Sequence, residues 1–205
     1  MSSDAELRRD AADALSHILS SHNIAHAWIG GFALQALGAT RNTTDIDIEI
    51  DVPSVDDIHS RIGPMIVSAD PRFSIHNLKL YFTASGSDCL TPRRVPIETL
   101  PIGSLNLPRR LQVVPDATLP VLKPGILILT KMKRACHLIG STRPQSQAKL
   151  NADIVDIAFL VNLLVQSRDK IDFTGYDAQF PERLDNLPMS IFFIVLAPLA
   201  IMNVV

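Results

Sequence analysis

Between Asp45 and Asp51 the chain alternates strictly between acid and isoleucine, as DIDIEID. A period of two is the period of a strand, so the isoleucines share one face and the carboxylates share the other. The segment therefore reads as a strand with one apolar face and one acidic face. The acidic face carries Asp45, Asp47, Glu49 and Asp51 in a row.

Asp45 and Asp47 point the same way, with Cα atoms about 6.6 Å apart. Two carboxylates that close repel unless protonated or neutralised by cations. Divalent metal ions, shared between carboxylates and substrate phosphates, are the usual neutraliser. In two-metal sites one ion activates an attacking oxygen and the other stabilises the leaving oxygen of an in-line displacement. Upstream stands Gly30-Gly31, separated from the acids by a thirteen-residue spacer, 32–44. A glycine pair between a strand and a helix lets the backbone approach a ligand closely. The N–H groups at such a helix start suit phosphate oxygens. Together the two features describe a site for a nucleoside triphosphate with Mg²⁺ or Mn²⁺. The plainer reading of acidic alternation is a solvated face. Glu49 and Asp51 are assigned to it, since Asp51 lies about 20 Å along the strand from Asp45.

The elements around this segment form an α+β chain. Helical spacing marks residues 4–21, with Asp4 as N-cap. A short strand over 25–31 runs into the glycine turn, and 32–37 is helical up to Gly38. A helix over 54–67 follows, then strands over 78–83 and 94–100, joined by a turn at Gly86, Ser87 and Asp88. Pro96 suggests an edge position for the last strand. Residues 101–124 hold Pro101, Pro108, Pro115, Pro120 and Pro124, and read as a domain boundary or long surface connection. Helices over 125–139 and 147–165 complete the body. The expected organisation is a small mixed sheet flanked by helices over 1–115, then a mostly helical part over 116–205. Trp28 is assigned to the core behind the glycine turn. The histidines, among them His26, show no ligand spacing and are assigned to surface or half-buried positions.

The segment GGFALQALGATRNTTDIDIEI resembles the signature of the nucleotidyltransferase superfamily of DNA polymerase β-like fold. That signature is a Gly-Gly or Gly-Ser turn, a spacer, and an acid-apolar-acid strand. Within the superfamily it is similar to the AbiEii-type toxin nucleotidyltransferases and their stand-alone relatives, where the approach to the acids reads R-x-T-x-D-h-D. Arg41, Thr43, Asp45 and Asp47 fit that pattern. The resemblance implies a third carboxylate on a later strand, with Glu98 as the candidate and Asp88 as the fallback. Asp45, Asp47 and Glu98 are then the metal ligands and catalytic acids. It further implies triphosphate contacts from Gly30, Gly31, Arg41, Thr43, Lys131 and Lys149, and an acidic patch at Asp153 and Asp156. In the family the lysine adjoins the first acid of that patch, whereas here Leu150, Asn151 and Ala152 intervene. The plainer reading of Lys149, Asp153 and Asp156 is a surface salt-bridge stripe on an amphipathic helix.

The implied reaction moves an NMP from an NTP to an acceptor hydroxyl on RNA, a protein or a small molecule. The alternative is a non-catalytic module of the same fold that binds nucleotide or a protein partner. The formal charge of −2 supplies no global basic field for nucleic acid. A local patch is available only from Arg93-Arg94, Arg109-Arg110 and Lys131 to Arg134. Aromatic residues are 5% of the chain, so no stacking platform for single strands is evident. Cys89 and Cys136 form neither a disulfide framework nor a zinc set, and no secretory signal opens the chain. A reducing cytoplasmic setting is expected. Mean hydropathy is +0.21, and the excess sits in the tail 187–205, apolar from Ile191 except for Pro198 and Asn203. As a helix, 191–205 reaches about 22 Å, short of a ~30 Å hydrocarbon core. A helix packed on the body or on a second copy is expected there, and membrane association is not.

Overall fold

The computed structural model describes residues 3–84, 93–104 and 107–170, apart from the side chain of Cys136. Asp88 with its turn and the apolar tail 187–205 lie outside the described residues. The chain divides into two compact units, Met1–Ser104 with Arg109–Lys123, and Leu105–Pro108 with Pro124–Val205.

The first unit is a five-stranded mixed sheet with helices. Its helices are α1 (Asp4–Ser21), α2 (Gly30–Ala36), α3 (Val55–Asp57) and α4 (Gly63–Ala69), with a π-helical turn, Ile58–Ile62, joining the last two. Its strands are β1 (His26–Ile29), β2 (Ile46–Ile50), β3 (Phe73–His76), β4 (Lys79–Thr83) and β5 (Arg94–Pro101), in the order β1-β2-β5-β4-β3. Only β2 and β5 run parallel; every other neighbouring pair is antiparallel. Helix α1 is closed by Ser3, not Asp4. The Glu6 N–H donates to the Ser3 hydroxyl at 3.2 Å, and the Glu6 carboxylate accepts from the Ser3 N–H. This reciprocal capping box satisfies two helix-end donors, which Asp4 at the first helical position does not do. Strand β3 was not anticipated, because Phe73–His76 is short and only Phe73 is fully covered.

The isoleucines of β2 behave as the alternation requires: Ile46, Ile48 and Ile50 are all fully buried. Strand β5 is not at an edge, since β2 and β4 flank it. Pro96 is tolerated because the parallel ladder with β2 begins one residue later, at Ile46 opposite Ile97. At Pro96 itself β5 pairs only with Tyr81 of β4, so the missing N–H costs no bond on the β2 side. The stretch 109–123 is not a surface connection throughout. It returns to β1, where Trp28 donates to the Pro120 carbonyl at 2.7 Å and accepts from the Leu122 N–H at 3.2 Å. Leu119, Val121 and Leu122 are buried there.

Trp28 is fully buried and meets Phe32 edge-on, ring centres 5.3 Å apart. Its indole N–H donates to the Ser16 hydroxyl at 3.0 Å. His26, contrary to expectation, is buried as well. Its Nδ1 lies 3.0 Å from the Ile24 carbonyl and its Nε2 3.0 Å from the same Ser16 hydroxyl. One arrangement satisfies every group: Nδ1–H donates to Ile24, Ser16 donates to Nε2 and accepts from Trp28. Burial depresses the His26 pKa, against a smaller opposing contribution from the Ile24 carbonyl. The ring is therefore the neutral one this network needs.

The described part of the second unit is an antiparallel-type helix pair, α5 (Pro124–Leu138) and α6 (Pro144–Ser167), packed on each other. Pro144 stands in the first turn of α6, where its missing N–H is no loss. Among the described residues no helix is long and apolar enough to cross a membrane.

Candidate active site

Three short segments of the first unit build the site: the β1–α2 turn, the approach to β2, and the middle of β5. Gly30 sits at φ +65°, a region that disfavours any side chain. A Cβ there would fall 1.8 Å from Asp47 Oδ2, so the backbone at residue 30 is packed directly on the carboxylate. Gly31 has no left-handed backbone, and its nearest neighbour is less close though still too near for a side chain. Its Cβ would lie 2.8 Å from Thr43 Oγ1 and 3.2 Å from the Arg41 guanidinium carbon. Thr43, itself buried, donates from Oγ1 to Asp45 Oδ1 at 3.0 Å. The Arg41 carbonyl accepts from Gln35 Nε2 of α2 at 2.6 Å, which ties the approach segment to the helix behind the glycines. The first glycine thus accommodates Asp47, and the second accommodates the threonine that holds Asp45.

Strand β5 carries Glu98, the candidate third acid. Asp47 and Glu98 are register partners across the parallel β2–β5 ladder. Register partners share a face and sit about 4.8 Å apart. Asp45 and Asp47 are half-buried, and Glu98 is exposed. The sequence could only nominate Glu98 by resemblance, because the pairing of β2 with β5 is a long-range fact.

Glu49 departs from its assignment to a solvated face. It is 1% exposed, and its Oε1 accepts the Gly103 N–H at 2.9 Å. Burial raises its pKa, with the Gly103 bond acting the other way. The loop after β5 covers it, a contact with no local signal in DIDIEID. Asp51 is exposed, as a solvated acid should be.

The donor set is all carboxylate, which suits a hard divalent cation such as Mg²⁺. Among the described residues no three His, Cys, Asp or Glu side chains converge into a metal site. The chain's own contribution is then one or two carboxylates at a time. That fits Mg²⁺, which is ordinarily held by one or two carboxylates together with substrate phosphates and water.

The second unit places the remaining residues differently from a solvated stripe. Lys131 Nζ lies 2.8 Å from Asp156 Oδ2 and 3.5 Å from Asp153 Oδ1, with all three side chains buried. Arg134 Nε donates to Asp153 Oδ2 at 2.7 Å, and its Nη2 to the other oxygen. These pairs join α5 to α6. Lys149 is exposed, and Asp153 is turned toward α5 instead of toward it.

No protein-family model matches the chain, and no curated protein matches it. Among solved structures it is similar to an antigenic nucleotidyltransferase-like protein from Paracoccidioides brasiliensis. The TM-score is 0.58 at 18% sequence identity, over 77% of this chain and 77% of that one.

Proposed function

We propose that this chain, whose fold is nucleotidyltransferase-like, is a divalent-metal-dependent nucleotidyltransferase of the AbiEii-type branch. The observation that supports the reading is that Asp47 packs against Gly30 and stands opposite Glu98 in the β2–β5 register, next to an Asp45 bonded by Thr43. In the reaction an acceptor hydroxyl attacks the α-phosphorus of an NTP, the bond to the bridging oxygen of the β-phosphate breaks, and pyrophosphate leaves. The hydroxyl proton passes to a carboxylate or to solvent.

Asp45 and Asp47 hold Mg²⁺ or Mn²⁺ in this reading, with Glu98 completing the acidic set. When bound, the cation neutralises phosphate charge and lowers the pKa of an oxygen it touches. The chain's own residues supply position. Thr43 fixes the Asp45 carboxylate, and Gly30 keeps the space into which Asp47 turns. Gly31 at the start of α2 and Arg41 on the approach to β2 are the groups assigned to the triphosphate in this reading. Catalysis by such a site is mainly orientation and charge neutralisation. Lys131 is engaged by Asp153 and Asp156, so the reading does not rest on it. Lys149 is an exposed cation of the second unit, and the reading does not rest on it either.

The test is incubation of the full chain with each α-labelled NTP, Mg²⁺ and total RNA or lysate. Covalent label is expected on one acceptor class, and Asp45→Asn with Asp47→Asn should abolish it. Nucleotide binding without transfer from any NTP would leave the non-catalytic module as the correct reading. Mass spectrometry of the labelled species identifies the acceptor as RNA, protein or small molecule.

A further inference from the structure

Arg8 of α1 is only 8% exposed, its Nε is buried without a hydrogen-bond partner, and no ion pair involves it among the described residues. A guanidinium does not deprotonate in a protein, so burial cannot remove this charge. A buried charge with no counter-charge is strongly disfavoured, and the usual resolution is an opposite charge brought against it. Arg8 lines a pocket of about 260 Å³, together with Thr44, Arg93 and Arg94. Among the described residues the one acid on the lining is Asp4, which is paired with Arg93 and has a largely exposed side chain. The described lining thus sets three guanidinium groups against one carboxylate.

We propose that this pocket is a binding site for a phosphoryl group, separate from the Asp45–Asp47 pair. Guanidinium forks match the geometry of phosphate oxygens and bind them with charge-assisted hydrogen bonds. The Thr44 hydroxyl adds a neutral donor. The volume lies below the ~300–1,000 Å³ of clefts that enclose drug-sized ligands, which suits a phosphate better than a whole nucleotide. Thr44 directly precedes Asp45, so a phosphate seated here lies one residue along the chain from the acid pair. Arg93-Arg94 stands out in the sequence as a basic pair, but Arg8 joins it only through long-range packing. The site does not depend on the transferase reading.

The test is calorimetric titration of the full chain without divalent metal, at matched ionic strength. The probes are inorganic phosphate, AMP as a phosphate monoester, and adenosine as the phosphate-free control. Phosphate and AMP should bind and adenosine should not. Tighter binding of AMP marks an esterified phosphate as the ligand, and equal or tighter binding of phosphate marks the free ion. Arg8→Gln should weaken binding at least tenfold. Arg94→Gln, on an exposed side chain, should weaken it severalfold and decides the matter if the Arg8 variant does not fold. The Asp45→Asn, Asp47→Asn double variant should bind as the wild type does, even if no transfer activity is ever found. Absence of metal-free binding, unchanged affinity in both arginine variants, or loss of binding in the double aspartate variant would each overturn the proposal.

Discussion

The Asp47 carboxylate occupies the space that a side chain on residue 30 would need, with Oδ2 only 1.8 Å from the position of a Cβ there. Gly30→Ala therefore faces two costs. The left-handed backbone at φ +65° disfavours alanine by about 1–2 kcal/mol. The clash also turns Asp47 away from Glu98, its register partner. The expected outcome is a fold weakened by about that amount and a near-complete loss of nucleotidyl transfer. Urea unfolding and the labelling assay read the two separately. Gly31→Ala should separate them further. Its backbone is ordinary, so stability changes less, while activity falls through displacement of Thr43.

The Thr43 hydroxyl lies 3.0 Å from Asp45 Oδ1 and 3.2 Å from the Asp45 carbonyl, so it orients that residue. Thr43→Val keeps the volume and deletes the donor. Groups that orient a metal-binding carboxylate typically contribute ~10–100-fold to metal affinity. The Mg²⁺ concentration for half-maximal transfer should rise by about that factor in Thr43→Val, and Thr43→Ser should restore it. Unchanged metal dependence in the valine variant would show that Asp45 holds its orientation without the threonine.

The local half of this site was readable from sequence because its signals are local. Alternation placed Asp45 and Asp47 on one face, and the glycine pair announced a turn before a helix. What escaped was set by long-range pairing and coverage. Glu98 stands beside Asp47 only because β5 inserts next to β2, and Pro96 pointed to an edge instead. Glu49 looked like a solvated acid until the Gly103 loop covered it. Asp153 and Asp156 read as surface charges, and Lys131 as a triphosphate contact, because helical periodicity does not say which helix will pack on the polar stripe. The burial of His26 escaped because its partner Ser16, which also accepts from Trp28, is brought to it only by long-range packing of α1.

His26 gives the fold an acid-sensitive element. Its pKa in the folded chain is depressed by burial below the ordinary 6.5. Between those two values the unfolded chain binds the proton and the folded chain does not. The stability associated with a neutral His26 is therefore fully present above pH 6.5 and lost as pH falls from there toward the depressed folded value. Glu49 acts in the opposite sense: its raised pKa makes stability fall as pH rises from its ordinary 4.5 toward the folded value. The two oppose each other in mildly acidic solution, so the wild-type profile alone is ambiguous. The difference in unfolding free energy between wild type and His26→Gln isolates the histidine. That difference should be constant above pH 6.5 and shrink below it. A difference independent of pH would contradict the neutral, doubly bonded ring.

The α5–α6 pair is held by a buried charge cluster, and such clusters respond asymmetrically to substitution. Lys131 is the cation nearest Asp156, at 2.8 Å, and also faces Asp153 at 3.5 Å, all with side chains at most 5% exposed. Lys131→Met removes that cation and leaves Asp156 with a buried carboxylate. Breaking a buried pair this way typically costs about 3–5 kcal/mol, because the remaining charge loses its counter-ion. Replacing both partners with apolar groups of similar size is often nearly neutral. Lys131→Met with Asp156→Leu should therefore recover most of the stability lost by Lys131→Met alone, while Asp153 stays paired with Arg134. Chemical unfolding of the two single variants and the double variant measures this as a coupling energy. Additive losses would mean that the lysine contributes through its aliphatic packing and not through its charge.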